Sequence, residues 1–314
     1  MTEPVALLDA ASKRYGRKAI GPLSLALRRG EVMGLLGPNG SGKTTAIRML
    51  LGLVRASSGR VLLNGRDPVE EHERALRGVG YSPELPNIQT FLTPNELLSI
   101  VCSELGLGSH ESLYESRRLL EAVGLAEYAD TKVGKLSKGM VQRLSLAQAM
   151  LGSPSILILD EPIIGVDPAG AVHFREMFRE FAKDGGTILL SSHVMSEVSA
   201  LCNSATMLHN GRVMFSGTLD DIVRAKLQGK VVVVEAEGLG EKEIGLIRSL
   251  EGVQEIKQST GTIEIVVAPS ATDLRPEIAR IIVNSGRHLH SIKYEDNILE
   301  RAYVASLAGG RAES

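Results

Sequence analysis

Cysteine is scarce in this sequence. The two that occur in 314 residues, Cys102 and Cys202, make neither a disulfide framework nor a metal-ligand spacing, and they read as buried or free thiols of a cytosolic protein. Charge of one sign is also missing. A formal net charge of -2 gives no global argument for nucleic acid or an anionic membrane surface as partner. No uninterrupted apolar run approaches the roughly 18 residues of a membrane span. The opening MTEPVALLDA lacks the basic start and long apolar stretch of a signal peptide, so a chain soluble by itself is expected. Repeat arrays and low-complexity blocks are absent. What remains is ordinary globular material, 43% hydrophobic and 23% charged, long enough for about two domains.

Short apolar runs alternate with helical patterns through about residue 220. EVMGLLG (31–37), SILILD (155–160) and GTILLSS (186–192) read as buried strands. KTTAIRMLLGL follows the first, and PAGAVHFREMFREFAKDGG lies between the other two as an amphipathic helix stopped by Gly185 and Gly186. Such alternation predicts a mostly parallel sheet carrying helices. Residues 94–151 show helical patterns only, which predicts a helical insertion. SATMLHNGRVMFSG (204–217) reads as two strands around Asn210-Gly211. From about residue 229 the pattern restarts as β-α-β-β-α-β with one last helix, the order of a small α+β ferredoxin-like domain; one of its hairpins is expected about Thr260-Gly261. The expected boundary is Gln228-Gly229, giving domains 1–228 and 229–314.

Gly37 to Thr44, GPNGSGKT, matches G-x-x-x-x-G-K-[ST] between a predicted strand and a predicted helix. The glycines let backbone N–H groups turn toward phosphate oxygens, and the helix start adds positive potential. Lys43 can reach the β- and γ-phosphates, and the Thr44 hydroxyl can hold Mg²⁺. Gly37, Pro38, Asn39, Gly40, Ser41, Gly42, Lys43, Thr44 and the following Thr45 are the candidate nucleotide-binding residues. ILILDE (156–161) is an apolar strand ending in two carboxylates. Asp160 can position Mg²⁺ through water, and Glu161 can accept a proton from an attacking water.

KLSKGMVQRLSLAQAM (135–150) opens another helix, with Ser137 as N-cap and Met140, Leu144, Ala147 and Leu151 at helical spacing. Lys138 places a cation in the first turn, where the helix dipole prefers an anion.

Taken in order, these motifs resemble an ATP-binding-cassette (ABC) ATPase over roughly residues 5 to 225. The resemblance implies an α/β P-loop NTPase with an N-terminal antiparallel β part and a helical subdomain at about 86–152. It implies ATP and Mg²⁺ as cofactors, and a homodimer or pseudo-dimer sandwiching two ATP. LSKGM, Leu136 to Met140, stands where the family has Leu-Ser-Gly-Gly-Gln, the signature that meets the γ-phosphate held by another subunit. Ser137 and Gly139 match that wording, while Lys138 and Met140 depart from it. An anion brought to this helix start could offset the few tenths to about 1 kcal/mol that a lysine costs there. Asp167 takes the D-loop position, with Ile163 in place of the usual threonine. His193 takes the switch-histidine position and Tyr15 that of the adenine-stacking aromatic. Glu84 replaces the glutamine of the Q-loop, which links the nucleotide site to the membrane partner.

The implied function is the ATP-hydrolysing subunit of an ABC transporter. The implied site is cytoplasmic, peripheral on the membrane through integral permease subunits, with no nucleic-acid partner. The C-terminal region is similar to the small domains of drug, lipid and polysaccharide export ATPases, which favours export over import. His288 and His290 share a strand face without a carboxylate or cysteine cluster near them in sequence, and read as surface residues. A non-transport ABC ATPase fits less well, because the chain has one cassette, no long heptad run and no basic tail. The altered Glu84, Lys138, Met140 and Ile163 raise a regulatory ATP sensor as a third reading, against which Lys43, Asp160, Glu161 and His193 are all retained.

Overall fold

The computed structural model describes residues 3–226, 230–259, 261–268, 271–294 and 298–309. The chain forms two compact units, Met1–Ser216 and Gly217–Ser314.

In the first unit, β1 (Ala6–Tyr15), β2 (Lys18–Leu27) and β4 (Ser58–Leu63) form an antiparallel sheet in the order β2-β1-β4. A six-stranded sheet runs β5 (Val79–Ser82), β6 (Ile156–Asp160), β7 (Thr187–Ser192), β3 (Val32–Leu36), β8 (Ser204–His209), β9 (Arg212–Thr218). Its pairs from β5 through β8 are parallel. Every residue of β3, β6 and β7 is buried, which is why these strands read as continuous apolar runs rather than alternating ones. β8 and β9 meet at Asn210-Gly211, with φ 47° and 76°, the left-handed pair that a tight hairpin requires.

The helices of this unit are α1 (Lys43–Leu50), α2 (His72–Ala75), α3 (Pro94–Glu104), α4 (Ser109–Ala122), α5 (Lys138–Ala149), α6 (Pro168–Lys183) and α7 (Met195–Leu201). α3, α4 and α5 occupy the predicted insertion. Thr93 and Glu96 close a capping box at the start of α3, with Pro94 in its first turn. β5 is tied to α5 by a buried hydroxyl pair, Ser82 Oγ to Ser145 Oγ at 2.9 Å.

The second unit contains α8 (Leu219–Lys226), β10 (Lys230–Glu237), α9 (Glu241–Arg248), β11 (Val253–Ser259), β12 (Thr262–Val267), α10 (Arg275–Asn284), β13 (His288–Tyr294) and α11 (Ile298–Gly309). Its antiparallel sheet has the order β11-β12-β10-β13, the split β-α-β arrangement of a ferredoxin-like fold. Val232, Val234, Ile263 and Ile265 pack on Ile247 of α9 and on Ile278 and Ile282 of α10. The expected boundary residues Gln228 and Gly229, and Thr260 of the expected hairpin turn, lie outside the described residues. The two units divide at Ser216/Gly217 instead, because α8 packs on α11 of the second unit. No helix among the described residues is long and apolar enough to cross a membrane.

The strand order sets β6, β7 and β3 side by side, so their C-terminal ends open onto one place, where open α/β sheets bind ligands. The Ser82–Ser145 pair holds β5 to the helix that begins with LSKGM. Ser145→Ala is expected to strand a buried Ser82 hydroxyl and to cost about 1–3 kcal/mol. Urea unfolding should show the Ser82→Ala/Ser145→Ala double variant less destabilised than the sum of the single variants. Additive losses would mean that the pair does not act as a unit.

Candidate nucleotide site

The loop after β3 leads into α1 through Gly42, at φ 112° in the left-handed region. Glycine serves there twice over, since a Cβ would also fall 2.7 Å from Ile20 Cγ2. α1 has neither a side-chain cap nor an acidic residue in its first turn, so its N–H groups stay available to an anion. Pro38 lies at the exposed outer turn of the loop, where its carbonyl accepts the Ser41 N–H at 3.1 Å.

A cleft of about 500 Å³ opens here. It gathers Tyr15, residues 39–45, Glu84 and Glu161, with Lys18, Ile20 and Arg48 alongside. Lys18 and Arg48 were not singled out from the sequence. A signal for Arg48 existed, because it follows Thr44 by four residues and shares its helix face.

Glu161 is the hub. Its Oε1 lies 3.1 Å from Lys43 Nζ, with both side chains about 6% exposed. Its Oε2 lies 3.0 Å from His193 Nδ1, which carries the proton when it faces an ionised carboxylate. Lys43 also donates to Gly37 O at 2.7 Å. Glu161 sits at φ 50°, a conformation uncommon outside glycine.

Parallel register pairs Asp160 with Ser191. The Ser191 hydroxyl donates to Asp160 Oδ1 at 2.6 Å and accepts the Glu161 N–H at 2.9 Å, so one buried side chain orients both acidic residues. The other oxygen, Asp160 Oδ2, is buried without a hydrogen-bond partner, as is Ser41 Oγ. Unsatisfied buried oxygens of this kind fit a hydrated divalent cation and a bound anion. On neighbouring β5, burial pushes the Tyr81 phenol up to about 12, and the Asp160 carboxylate adds to the shift.

None of Leu136 to Met140 lines this cleft. Ser137 caps α5 by accepting the Met140 N–H at 3.2 Å. Lys138 is exposed at a helix start without an acidic residue in its first turn. Asp167 caps α6 by accepting the Gly170 N–H at 2.8 Å, and it receives Arg143 Nη2 at 2.8 Å. The Gly170 amide and the Arg143 guanidinium hold its carboxyl below the usual carboxylate range. Ile163, at the altered D-loop position, is buried. In the second unit, His290 Nε2 lies 3.3 Å from Glu237 Oε1, and no metal-holding group of three His, Cys, Asp or Glu occurs among the described residues.

Ser191→Ala is expected to free Asp160 Oδ1 and to weaken the Mg²⁺ dependence of nucleotide binding about tenfold, with Ser191→Thr restoring it. Titrating Mg²⁺ against a fluorescent ATP analogue measures this, and an unchanged midpoint would mean that Ser191 does not position the Asp160 carboxylate for the metal.

Residues 20–164 match the sequence profile of the family described as ABC transporter. The uncharacterized ABC transporter ATP-binding protein YdbJ of Bacillus subtilis is 32% identical, and the match covers 100% of this chain and 98% of that protein. The linearmycin resistance ATP-binding protein LnrL of the same organism is 31% identical over 93% of this chain and 94% of its own length. Among solved structures, an ATP-binding subunit of an ABC transporter superposes with a TM-score of 0.66 at 32% identity, covering 70% of this chain and 92% of that one. With an open phosphate loop, a paired Lys43 and Glu161 and relatives matched from end to end, the chain belongs to the family of ABC transporter ATP-binding proteins.

Proposed function

We propose that this chain is the ATP-hydrolysing engine of an ABC exporter, cytoplasmic and held at the membrane by separate permease subunits. The observation that carries the proposal is Glu161, which lines the cleft and is bonded to Lys43 on one oxygen and to His193 on the other. A carboxylate so placed beside a polyphosphate loop is a general base for water.

The phosphates enter at the α1 N-terminus, where Lys43 and the loop amides neutralise them. Thr44 and Asp160 would hold Mg²⁺, which would supply positive charge where the departing ADP develops negative charge. Glu161 takes the proton of the attacking water. His193 fixes the Glu161 carboxylate and adds a hydrogen bond near the γ-phosphate. Tyr15, exposed at the cleft edge, offers its ring to adenine. Two subunits close head to tail, so that Ser137 and Gly139 of one meet the γ-phosphate held by the other. Glu84 lies in the same cleft and leads directly into Leu85, which is 82% exposed, and on toward Phe91, which is 66% exposed. Large apolar side chains this open suit a permease contact. Support for export comes from LnrL, which is named for resistance to linearmycin and matches this chain through its C-terminal unit.

Glu161→Gln is expected to keep ATP binding within a few-fold while steady-state phosphate release falls about 10²–10⁴-fold. Equal loss of binding and turnover would count against a general base at this position. The double variant Leu85→Asp/Phe91→Asp is expected to abolish copurification with the permease and leave ATP binding by the isolated subunit intact. Retained copurification would move the contact elsewhere.

A further inference from the structure

Arg143 stands six residues beyond Ser137 on α5 and does not line the nucleotide cleft. Its Nη2 donates to Asp167 Oδ2 at 2.8 Å, while Asp167 Oδ1 caps α6 through the Gly170 N–H. Both carboxylate oxygens of Asp167 thus have donors from its own chain. The guanidinium lies against the first turn of α6 so closely that a Cβ on Gly170 would fall 2.4 Å from Nη2. On its other side, Nη1 comes within 3.2 Å of the Cβ position of Gly124, in the turn after α4. A second contact joins the same two segments. Gly139, four residues before Arg143 and on the same helix face, approaches Gly165 O to 2.9 Å at its Cβ position.

We propose that Arg143 is a positioning residue whose guanidinium clamps the D-loop to the signature helix and to the turn after α4. The inference rests on the ATP-sandwich reading, in which the signature and the D-loop of one subunit face the nucleotide of the other. Those two segments leave different elements of the fold, α5 and the loop after β6. Both must nevertheless reach the partner in one geometry. With the clamp, they are presented as one body. The Arg143 side chain is 19% exposed and that of Asp167 62%, so solvent screens the charge attraction, and the contribution of the pair lies in geometry rather than in stability. A planar fork can contact Asp167 and lie along Gly170 at once, which a lysine ammonium cannot reproduce in full.

The test compares Arg143→Gln, Arg143→Lys, Asp167→Asn and the Arg143→Gln/Asp167→Asn double variant. A fluorescent ATP analogue should bind each isolated subunit within about twofold of the parent, and kcat for Arg143→Gln should fall about tenfold. Arg143→Lys should recover about a third of the parental rate. Adding Asp167→Asn to Arg143→Gln should change kcat by less than about twofold, because the interaction is already gone. Amide exchange in the monomer should rise together at 137–140 and 163–170, with 37–45 unchanged. Multiplying losses in the double variant, or faster exchange confined to one of the two segments, would overturn the clamp. If the parent protein neither dimerises nor hydrolyses ATP, the sandwich reading fails, and the monomer exchange still decides on the clamp. Should Arg143→Gln not fold, Arg143→Lys and Asp167→Asn are read by the same exchange comparison.

Discussion

Parallel pairing of β6 with β7 and of β7 with β3 is the constraint on which the site depends. One register places Asp160 opposite Ser191, and the next places Leu36 opposite Ser192. A slip of one residue would turn every side chain to the other face and separate the acidic strand tip from the serine that orients it. Both faces of these strands are buried, so close packing on each side, not a contrast between a polar and an apolar face, holds the register. Chemistry at the strand ends therefore inherits its precision from three buried strands in which Leu, Ile, Val and Met form the greater part.

The charged groups at those ends are held at a cost. Lys43 and Glu161 are both removed from water, and a buried pair of this kind contributes little net stability by itself. Glu161 in addition occupies a backbone conformation that costs of order 1–3 kcal/mol outside glycine. The Ser191 hydroxyl and the His193 ring fix Glu161 from two directions. Such a set of bonds is understandable where a carboxylate must stay pointed, rather than where a fold is merely to be stabilised.

Much of this was legible in the sequence because it is local. The phosphate loop, α1 and the Asp160-Glu161 pair lie on contiguous stretches where the residue types and the flanking periodicity agree. The C-terminal β-α-β-β-α-β order was likewise readable from periodicity, and the sheet order agrees with it. The N-terminal hairpin was harder. β1 shifts register twice near Ala10, itself at φ 46°, and the irregularity breaks the two-residue alternation that marks a strand. α7 has seven residues, too few for a helical period to stand out. Ser191 was invisible as a positioning group because it acts on residues distant in sequence, and Arg143, which follows the LSKGM stretch as part of the expected Gln142-Arg143 pair, gave no sign of its contact with Asp167. The division at Ser216/Gly217 has no local mark of its own, since α8 follows β9 in sequence but packs on α11.

The Asn210-Gly211 turn has a reach beyond closing its hairpin. The Gly211 N–H donates to Ser41 O at 3.0 Å, and Gly211 O accepts the Gly21 N–H at 2.7 Å. The turn is thus a strut between the phosphate loop and β2, the strand whose Ile20 backs Gly42. The curvature of the loop is propped from behind by a segment that contributes no side chain to the cleft. Part of the affinity for a polyphosphate is thereby set by the backbone of a distant hairpin, and a change at that hairpin would register as a nucleotide-binding defect in a residue that nucleotide never meets.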